Sequence, residues 1–316
     1  MEQRVVTILG GAGFLGTYVT RRLASAGYRI RVISRNANKA SHLYSCGNVG
    51  QIHVISSDIN SPESYSDILQ GSHAVINLVG ILFESGKQKF TKIHSIAAEK
   101  LAIAAKNAGV KRLIHISALG VDHEYGSGYA RSKILGELAV LSAFPDTTVL
   151  RPSVIFGAED NFFNKFAKMA NISPFLPLIG GGKTLFQPVY VDDVARAIEK
   201  CLAEPNTQGE TYELGGSKIY SFKQILEYIM EVTNQKRILM PLPFSVASFI
   251  AAFFEYMPNP PLTRDQVKLL KYNNTVNDSA KKFEHLSISP TSVEMIVPKY
   301  LSIYNKNINK NDYAIC

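Results

Sequence analysis

The sequence predicts an α/β protein: a doubly wound parallel sheet followed by a smaller, mostly helical C-terminal lobe. Three observations point there. Up to about Arg151, short apolar runs alternate with helical stretches, as parallel strands joined by crossover helices do. A glycine-rich loop, "GGAGFLG", separates the first apolar run from the first helical one. A chain of 316 residues with 46% hydrophobic content can bury one large α/β unit and an appended lobe.

The elements follow in order. "RVVTIL" reads as the first strand, followed by a helix from Gly13 to Ala26 and a second strand, "YRIRVIS". A helix near Ala37–Tyr44 leads to "QIHVIS"; "SPES" (Ser61 to Ser64) reads as the cap of the next helix, which leads to "HAVINLVG". A long helix from about Gln88 to Asn107 ends at Gly109, a residue suited to the left-handed turn after a helix. "KRLIHIS", a helix from about Ser127 to Ala143 and "TTVLRPS" complete six strands. In such a sheet the ligand is expected at the carboxyl ends of the strands. Beyond Arg151 the alternation weakens. "PFLPLIGGGKTLFQPVYVDDV" reads as a Pro- and Gly-rich loop, then a helix runs to about Ala203 and a short strand is read at "ETYEL". "SFKQILEYIMEV" and "TRDQVKLLK" are the clearest later helices, and the tail "NKNINKNDYAIC" reads as frayed.

Composition excludes several classes. Cys46, Cys201 and Cys316 lie far apart, without CxxC or a histidine at ligand spacing, so neither a disulfide framework nor a metal site is expected. The net charge of +8 suits an anionic cofactor or lipid, but no basic run or aromatic–basic interleaving marks a nucleic-acid module. The longest apolar run, "FSVASFIAAFF" (Phe244 to Phe254), is about half the ~20 residues a membrane span needs. It reads first as a buried helix and otherwise as a membrane-surface or partner-docking helix. The chain enters a strand almost at once, so no targeting segment is expected; the expected location is cytoplasmic, or peripheral on the inner face of the cytoplasmic membrane.

The glycine loop satisfies two spacings: Gly11, Gly13 and Gly16 give GxGxxG, while Gly10, Gly13 and Gly16 give GxxGxxG. Following a strand and opening a helix, it reads as the phosphate turn of a Rossmann dinucleotide-binding domain. Residues 1–155 are assigned to that domain, with elements near 186–215 returning to it; 156–316 form mainly the second lobe. Gly13 would let the backbone approach a pyrophosphate, and the helix N-terminus, beginning at Phe14 and Leu15, would aim amides and dipole at it. NAD enzymes place an acid about 20 residues past this loop, against the ribose 2′-hydroxyl. Here "VISRN" puts Ser34 and Arg35 there, and Arg35 can pair with a 2′-phosphate. NADP(H) is therefore favoured over NAD(H). Asp58 and Ile59 are placed to meet the adenine, and Asn77, Val79 and Gly80 to pass beside it.

"GYARSK" puts Tyr129 and Lys133 at i and i+4 on one helix face. An ammonium beside a phenol stabilises phenolate and moves the phenol's pKa toward the working range. Ser117 would project from the neighbouring strand end and hydrogen-bond a substrate carbonyl.

"GGAGFLG", "SDI", "NLVG", "HIS", YxxxK and "RPSVIFG" together resemble the short-chain dehydrogenase/reductase superfamily in its extended or atypical branch, over about residues 3–215. The resemblance implies Tyr129 as general acid/base, Lys133 also holding the nicotinamide ribose, Ser117 orienting substrate, and Pro152 and Val154 near the nicotinamide. "HISALG", "FQPVYVDDVA", "LTRDQVKLLKYNNTV" and "ISPTSVEMIVPKYL" look, more narrowly, like the nucleotide-binding accessory subunits of respiratory complex I and their bacterial relatives. A related branch is implicated in ubiquinone biosynthesis. That likeness implies respiratory-complex or quinone-biosynthesis partners at the membrane surface. His94 stands where many reductases place a relay asparagine, and both a proton relay and plain packing stay open for it. Asp192 and Asp193 read as a helix N-cap, and Arg264 and Asp265 as structural or interfacial. Two functions lead: an NADPH-dependent reductase or epimerase, and a non-catalytic NADPH-binding accessory or assembly factor; a redox-sensing regulator of the NmrA-like kind is a third, although such proteins tend to lack the tyrosine–lysine pair.

Overall fold

The computed structural model describes residues 4–59, 65–122 and 126–305. The cap expected at Ser61–Ser64, Cys316 and the tail from Lys306 onward lie outside them. The first half alternates as its periodicity predicts, except that the helix expected near Ala37–Tyr44 is 3-10 in form, over Asn38–Cys46: β1 (Val5–Leu9), α1 (Phe14–Ser25), β2 (Arg29–Ser34), β3 (Ile52–Ser56), α2 (Tyr65–Leu69), β4 (Ala74–Asn77), α3 (Ala97–Asn107), β5 (Arg112–Ile116), α4 (Gly128–Ala143) and β6 (Thr148–Pro152). There follow β7 (Ile155–Phe156), α5 (Phe163–Ile172), β8 (Phe175–Ile179), β9 (Leu185–Phe186), β10 (Val189–Tyr190), α6 (Val191–Ala203) and β11 (Thr211–Leu214). The remaining elements are β12 (Tyr220–Ser221), α7 (Phe222–Val232), β13 (Ile238–Leu242), α8 (Phe244–Phe254), α9 (Arg264–Leu269) and α10 (Val293–Leu301).

Seven strands form one parallel sheet in the order β11-β6-β5-β4-β1-β2-β3. The chain winds outward from β1 to β3, then crosses to β4 and winds the other way. The reversal between β1 and β4 is the switch point at which such sheets leave a crevice. Central strands are covered on both faces, which is why β4 and β5 are buried throughout. On one face Leu9, Ile33, Val75 and Leu113 pack against Ile68, Leu101 and Val140 of α2, α3 and α4. Arg112 starts β5 yet is buried; its guanidinium donates to the carbonyls of Cys201 and Glu204 and to Thr207 Oγ1, closing the C-terminus of α6.

Two compact units result. The first holds residues up to Pro152 with Val191–Leu214 and Asn277–Ile288. In it α1 packs on α6, where Arg22 Nε donates to Asp192 Oδ1 at 2.7 Å. Asp192 and Asp193 therefore sit inside the first turn of α6; Asp192 is engaged by an arginine, and Asp193 lies 3.9 Å from Arg196. The N-cap reading is corrected accordingly.

Among the described residues, the second unit holds Ser153–Tyr190, Gly215–Val276 and residues 289–305. Its core gathers Phe156, Phe163, Phe222, Leu226 and Val297. The stretch read as loop contains β8, which pairs in parallel with β13 over five residues. Pro177 is tolerated because the ribbon has two strands and a free edge. Helices α7 and α9 start with capping boxes, Ser221 with Gln224 and Thr263 with Gln266. Helix α8 forms where expected but is not a buried helix. Its buried residues are Ala247 and Ala251, while Phe249 is 67% and Phe253 64% exposed. Ala247 and Ala251 face inward with Phe244 packed beside them, and Phe249 and Phe253 face outward, an orientation that mean hydropathy does not reveal.

Candidate functional site

The carboxyl ends of β1, β2 and β4 converge at the switch point. Gly10 leaves β1 with φ of +79°, a conformation that disfavours any side chain. A Cβ on Gly16 would come within 2.5 Å of the Gly10 carbonyl, so the helix can sit this close to the loop only as glycine. Gly13 is the N-cap of α1 and is exposed; no side chain caps it and the first turn, with Phe14 and Leu15, carries no acid. The amides at the start of this 12-residue helix are therefore open to an anion. A dinucleotide pyrophosphate fits such a cradle.

Arg35 follows β2 and is exposed; the Gln88 amide, with its oxygen turned toward it, accepts from its guanidinium. Ser34 Oγ closes a local turn through the Asn36 carbonyl at 3.1 Å. Asp58 is exposed beyond β3, whereas the Ile59 side chain joins the core, so Ile59 meets the crevice through its backbone at most. Asn77, at the end of β4, is committed within the protein: its amide donates to His115 Nδ1 at 3.1 Å and its oxygen accepts from the Val79 amide at 3.2 Å. The segment carrying Val79 abuts the glycine loop, a Cβ on Gly10 falling 3.2 Å from the Val79 side chain. Gly80 is exposed and borders the next group: a Cβ there would lie 3.7 Å from His94 Nε2 and 3.9 Å from Lys133 Nζ.

Helix α4 supplies that group. Ser127 caps it by accepting from the Ala130 amide, which orients the first turn and with it the half-buried Tyr129. One turn later Lys133 is buried, and its ammonium donates to the Ile116 carbonyl at 2.7 Å. Burial pushes its pKa down to about 8, against the opposing pull of Glu137. Ser117, next after Ile116, is buried, and its hydroxyl has no hydrogen-bond partner among the described residues. Leaving a buried hydroxyl unpaired costs about 1–3 kcal/mol, and among the described residues Thr20 Oγ1 in α1 shares this state with Ser117.

The chain leading into α3 opens into a π turn over Thr91–Ile96, which carries His94. His94 Nε2 accepts from the Ile81 amide at 3.0 Å, so Nδ1 bears the hydrogen and donates to Ser132 Oγ at 2.8 Å. Ser132 in turn donates to the Tyr129 carbonyl. Burial and the Lys133 charge push the His94 pKa down to about 3. Both ring nitrogens are hydrogen-bonded within the protein, and the ring is stacked on Phe90 and edge-on to Tyr129 at 5.5 Å.

Glu137 escaped the sequence reading. It lies one further turn along the Tyr129–Lys133 face, buried, and takes two bonds from Arg151, at 3.1 and 2.7 Å. The i+4 spacing from Lys133 was the available signal. Pro152 ends β6, its carbonyl accepting from the Leu119 amide at 3.0 Å; Val154 belongs to the second unit. A groove of about 620 Å³ between α2 and α3, lined by Asp67, Lys100 and Asn107, contains none of these residues.

A doubly wound sheet with an open phosphate turn and a serine–tyrosine–lysine set at the end of β5 and the start of α4 defines a class. The chain belongs to the NAD-dependent epimerase/dehydratase family, whose model matches residues 6–215. Among its relatives, the mitochondrial NADH dehydrogenase [ubiquinone] 1 alpha subcomplex subunit 9 of Arabidopsis thaliana is 34% identical over 96% of this chain and 78% of that protein. A ceramide reductase of Caulobacter vibrioides is 30% identical over 60% of this chain and 58% of its own. A dTDP-glucose 4,6-dehydratase from Streptomyces venezuelae, solved with NAD and TYD bound, shares the fold with a TM-score of 0.73 at 19% identity, covering 96% of this chain and 97% of that one.

Proposed function

We propose that this chain is an NADP(H)-dependent oxidoreductase or epimerase acting on a carbonyl or secondary alcohol, with Ser117, Tyr129 and Lys133 at the reacting carbon. The observation that carries this reading is the buried, unpartnered Ser117 hydroxyl, one residue from the carbonyl that holds the Lys133 ammonium. Gly10, Gly11, Gly13 and Gly16, with the first turn of α1, would hold the pyrophosphate. Ser34 and Arg35 would hold the adenosine 2′-phosphate, which is why NADP(H) is preferred to NAD(H). Asp58, Ile59, Asn77, Val79 and Gly80 would flank the adenosine half, and Lys133 and Pro152 the nicotinamide half. When bound, the nicotinamide supplies or accepts the hydride.

The protein's part is proton transfer and orientation. Ser117 donates to the substrate oxygen and fixes its position; Tyr129 gives or takes the proton at the same oxygen. The nearby Lys133 charge favours phenolate and so brings Tyr129 into range. Turnover of a carbonyl panel, followed by loss of NADPH fluorescence, tests this. Tyr129→Phe is expected to lower kcat by about 10²-fold or more. Unchanged turnover in that variant removes the mechanism.

The similarity to subunit 9 across nearly the whole chain favours a second reading. In it the chain holds NADP(H) without turnover, as an accessory or assembly factor for a NADH:ubiquinone oxidoreductase or for ubiquinone biosynthesis. Purification of the tagged chain from its own cells in mild detergent discriminates: co-purifying respiratory subunits support this reading, and a chain that turns over substrate without them rejects it.

A further inference from the structure

We propose that the outward face of α8, with the exposed side of β13, docks the protein on the surface of an anionic lipid bilayer. The seventeen residues from Ile238 to Phe254 contain no charge. Within α8, Val246, Phe249 and Phe253 fall at i, i+3 and i+7, one helical face, and are 44%, 67% and 64% exposed. Ala247 and Ala251 hold the opposite face against Val267 and Ile179. The Phe249 and Phe253 rings pack edge to face at 5.2 Å, forming one apolar ridge. On β13, joined to α8 through Pro243 alone, Ile238 and Met240 are 63% and 47% exposed. Exposed large side chains of this kind along one uncharged stretch mark a surface that something covers.

Charge identifies the cover. Lys236 precedes the uncharged stretch and Lys268 and Lys271 follow it, all exposed; Arg237 and Arg264 also flank it, but Arg237 donates to the Ala170 carbonyl and to Gln235 Oε1, and the flanking acids are Glu255 and Asp265. Glu255 is already matched by Arg264 at 2.8 Å. The Lys271 ammonium stands 5.7 Å from the Phe244 ring, at the very start of α8. An aromatic ridge with cations at its borders is the arrangement of an element lying in the headgroup layer, its ridge in the acyl boundary and its cations on phosphates. At 11 residues α8 is too short to cross a bilayer. A second copy of the chain fits worse: a two-fold contact through this patch would set one cationic border against the other. None of these residues belongs to the cofactor or reaction groups, so the inference stands apart from the proposed function.

Flotation of the full chain with vesicles of phosphatidylcholine, alone or with about a third phosphatidylglycerol, tests it. The chain is expected to rise with the anionic vesicles and to be released by added salt. Phe249→Ser combined with Phe253→Ser, both at exposed positions, is expected to weaken partition by about tenfold or more, with unchanged thermal midpoint and NADPH binding. Failure to float with either vesicle overturns the proposal, as does a double variant that floats like the parent. A double variant that instead converts a dimer to a monomer, with no vesicle binding by the parent, overturns it in favour of a second copy.

Discussion

Ser117 and His94 show opposite uses of a buried polar side chain. Among the described residues the Ser117 hydroxyl has no partner, while both His94 nitrogens are hydrogen-bonded. Removing an unsatisfied hydroxyl relieves a cost, so Ser117→Ala is expected to unfold within about 1 kcal/mol of the parent, or later, in urea. Turnover should nonetheless fall in that variant; marked destabilisation would show that the hydroxyl is structural. Arg35 lies on the surface, and the role proposed for it is electrostatic. Arg35→Ser is expected to weaken NADPH by about tenfold or more and leave NADH nearly unchanged, since a charge-assisted bond is worth about 1.5–3 kcal/mol. Equal loss for both coenzymes, read by calorimetry, would remove Arg35 from the 2′-phosphate. The residue types at Gly13, Arg35, Tyr129 and Lys133 were legible because each motif has a spacing tied to one element. The Asn77–His115 and Glu137–Arg151 pairs were not, since their partners meet through strand order or a helix–strand crossing rather than through chain proximity.

At the scale of elements, periodicity finds β1 to β6 and their helices because a period of two or 3.6 is enforced wherever one face is buried. The π turn at Thr91–Ile96 keeps the apolar spacing of a long helix and so hides in it; the sequence reading ran one helix from Gln88 to Asn107. Gly136 of α4 is what accommodates that turn. A Cβ there would stand 1.8 Å from the His94 carbonyl oxygen, a backbone atom that cannot step aside. Gly136→Ala is expected to cost about 3 kcal/mol or more in urea unfolding, by forcing α4 off the π turn. A loss below about 1 kcal/mol would mean the two elements separate freely. Strand β8 escaped because Pro177 and the following glycines resemble a loop, and its partner β13 lies some sixty residues on. Helix α8 was found, but hydropathy alone cannot say which way an all-apolar helix turns.

For the whole molecule, ionisation and stability are linked through the group around Lys133. His94 and His115 are both held neutral, pushed from 6.5 to about 3 by burial and by the Lys133 charge. Between those values the unfolded chain binds protons that the folded chain does not, so stability falls as pH drops from 6.5 toward 3. The expected slope is about 1.4 kcal/mol per pH unit for each histidine. Lys133 acts at the other end: its folded pKa of about 8 lies below the unfolded 10.5, so the cost of burying its charge is relieved as pH rises through that window. Urea titrations across pH measure both, and His94→Gln should remove about one proton's worth of the acid slope. An unchanged slope would place the neutral histidine elsewhere. The proposed function places a phosphorylated dinucleotide at the sheet's switch point, between the start of α1 and Arg35. Titration calorimetry of the folded full chain tests it most directly. Saturable heat with NADPH, tighter than with NADH, is the expected result; a folded chain that saturates with neither coenzyme would contradict the account.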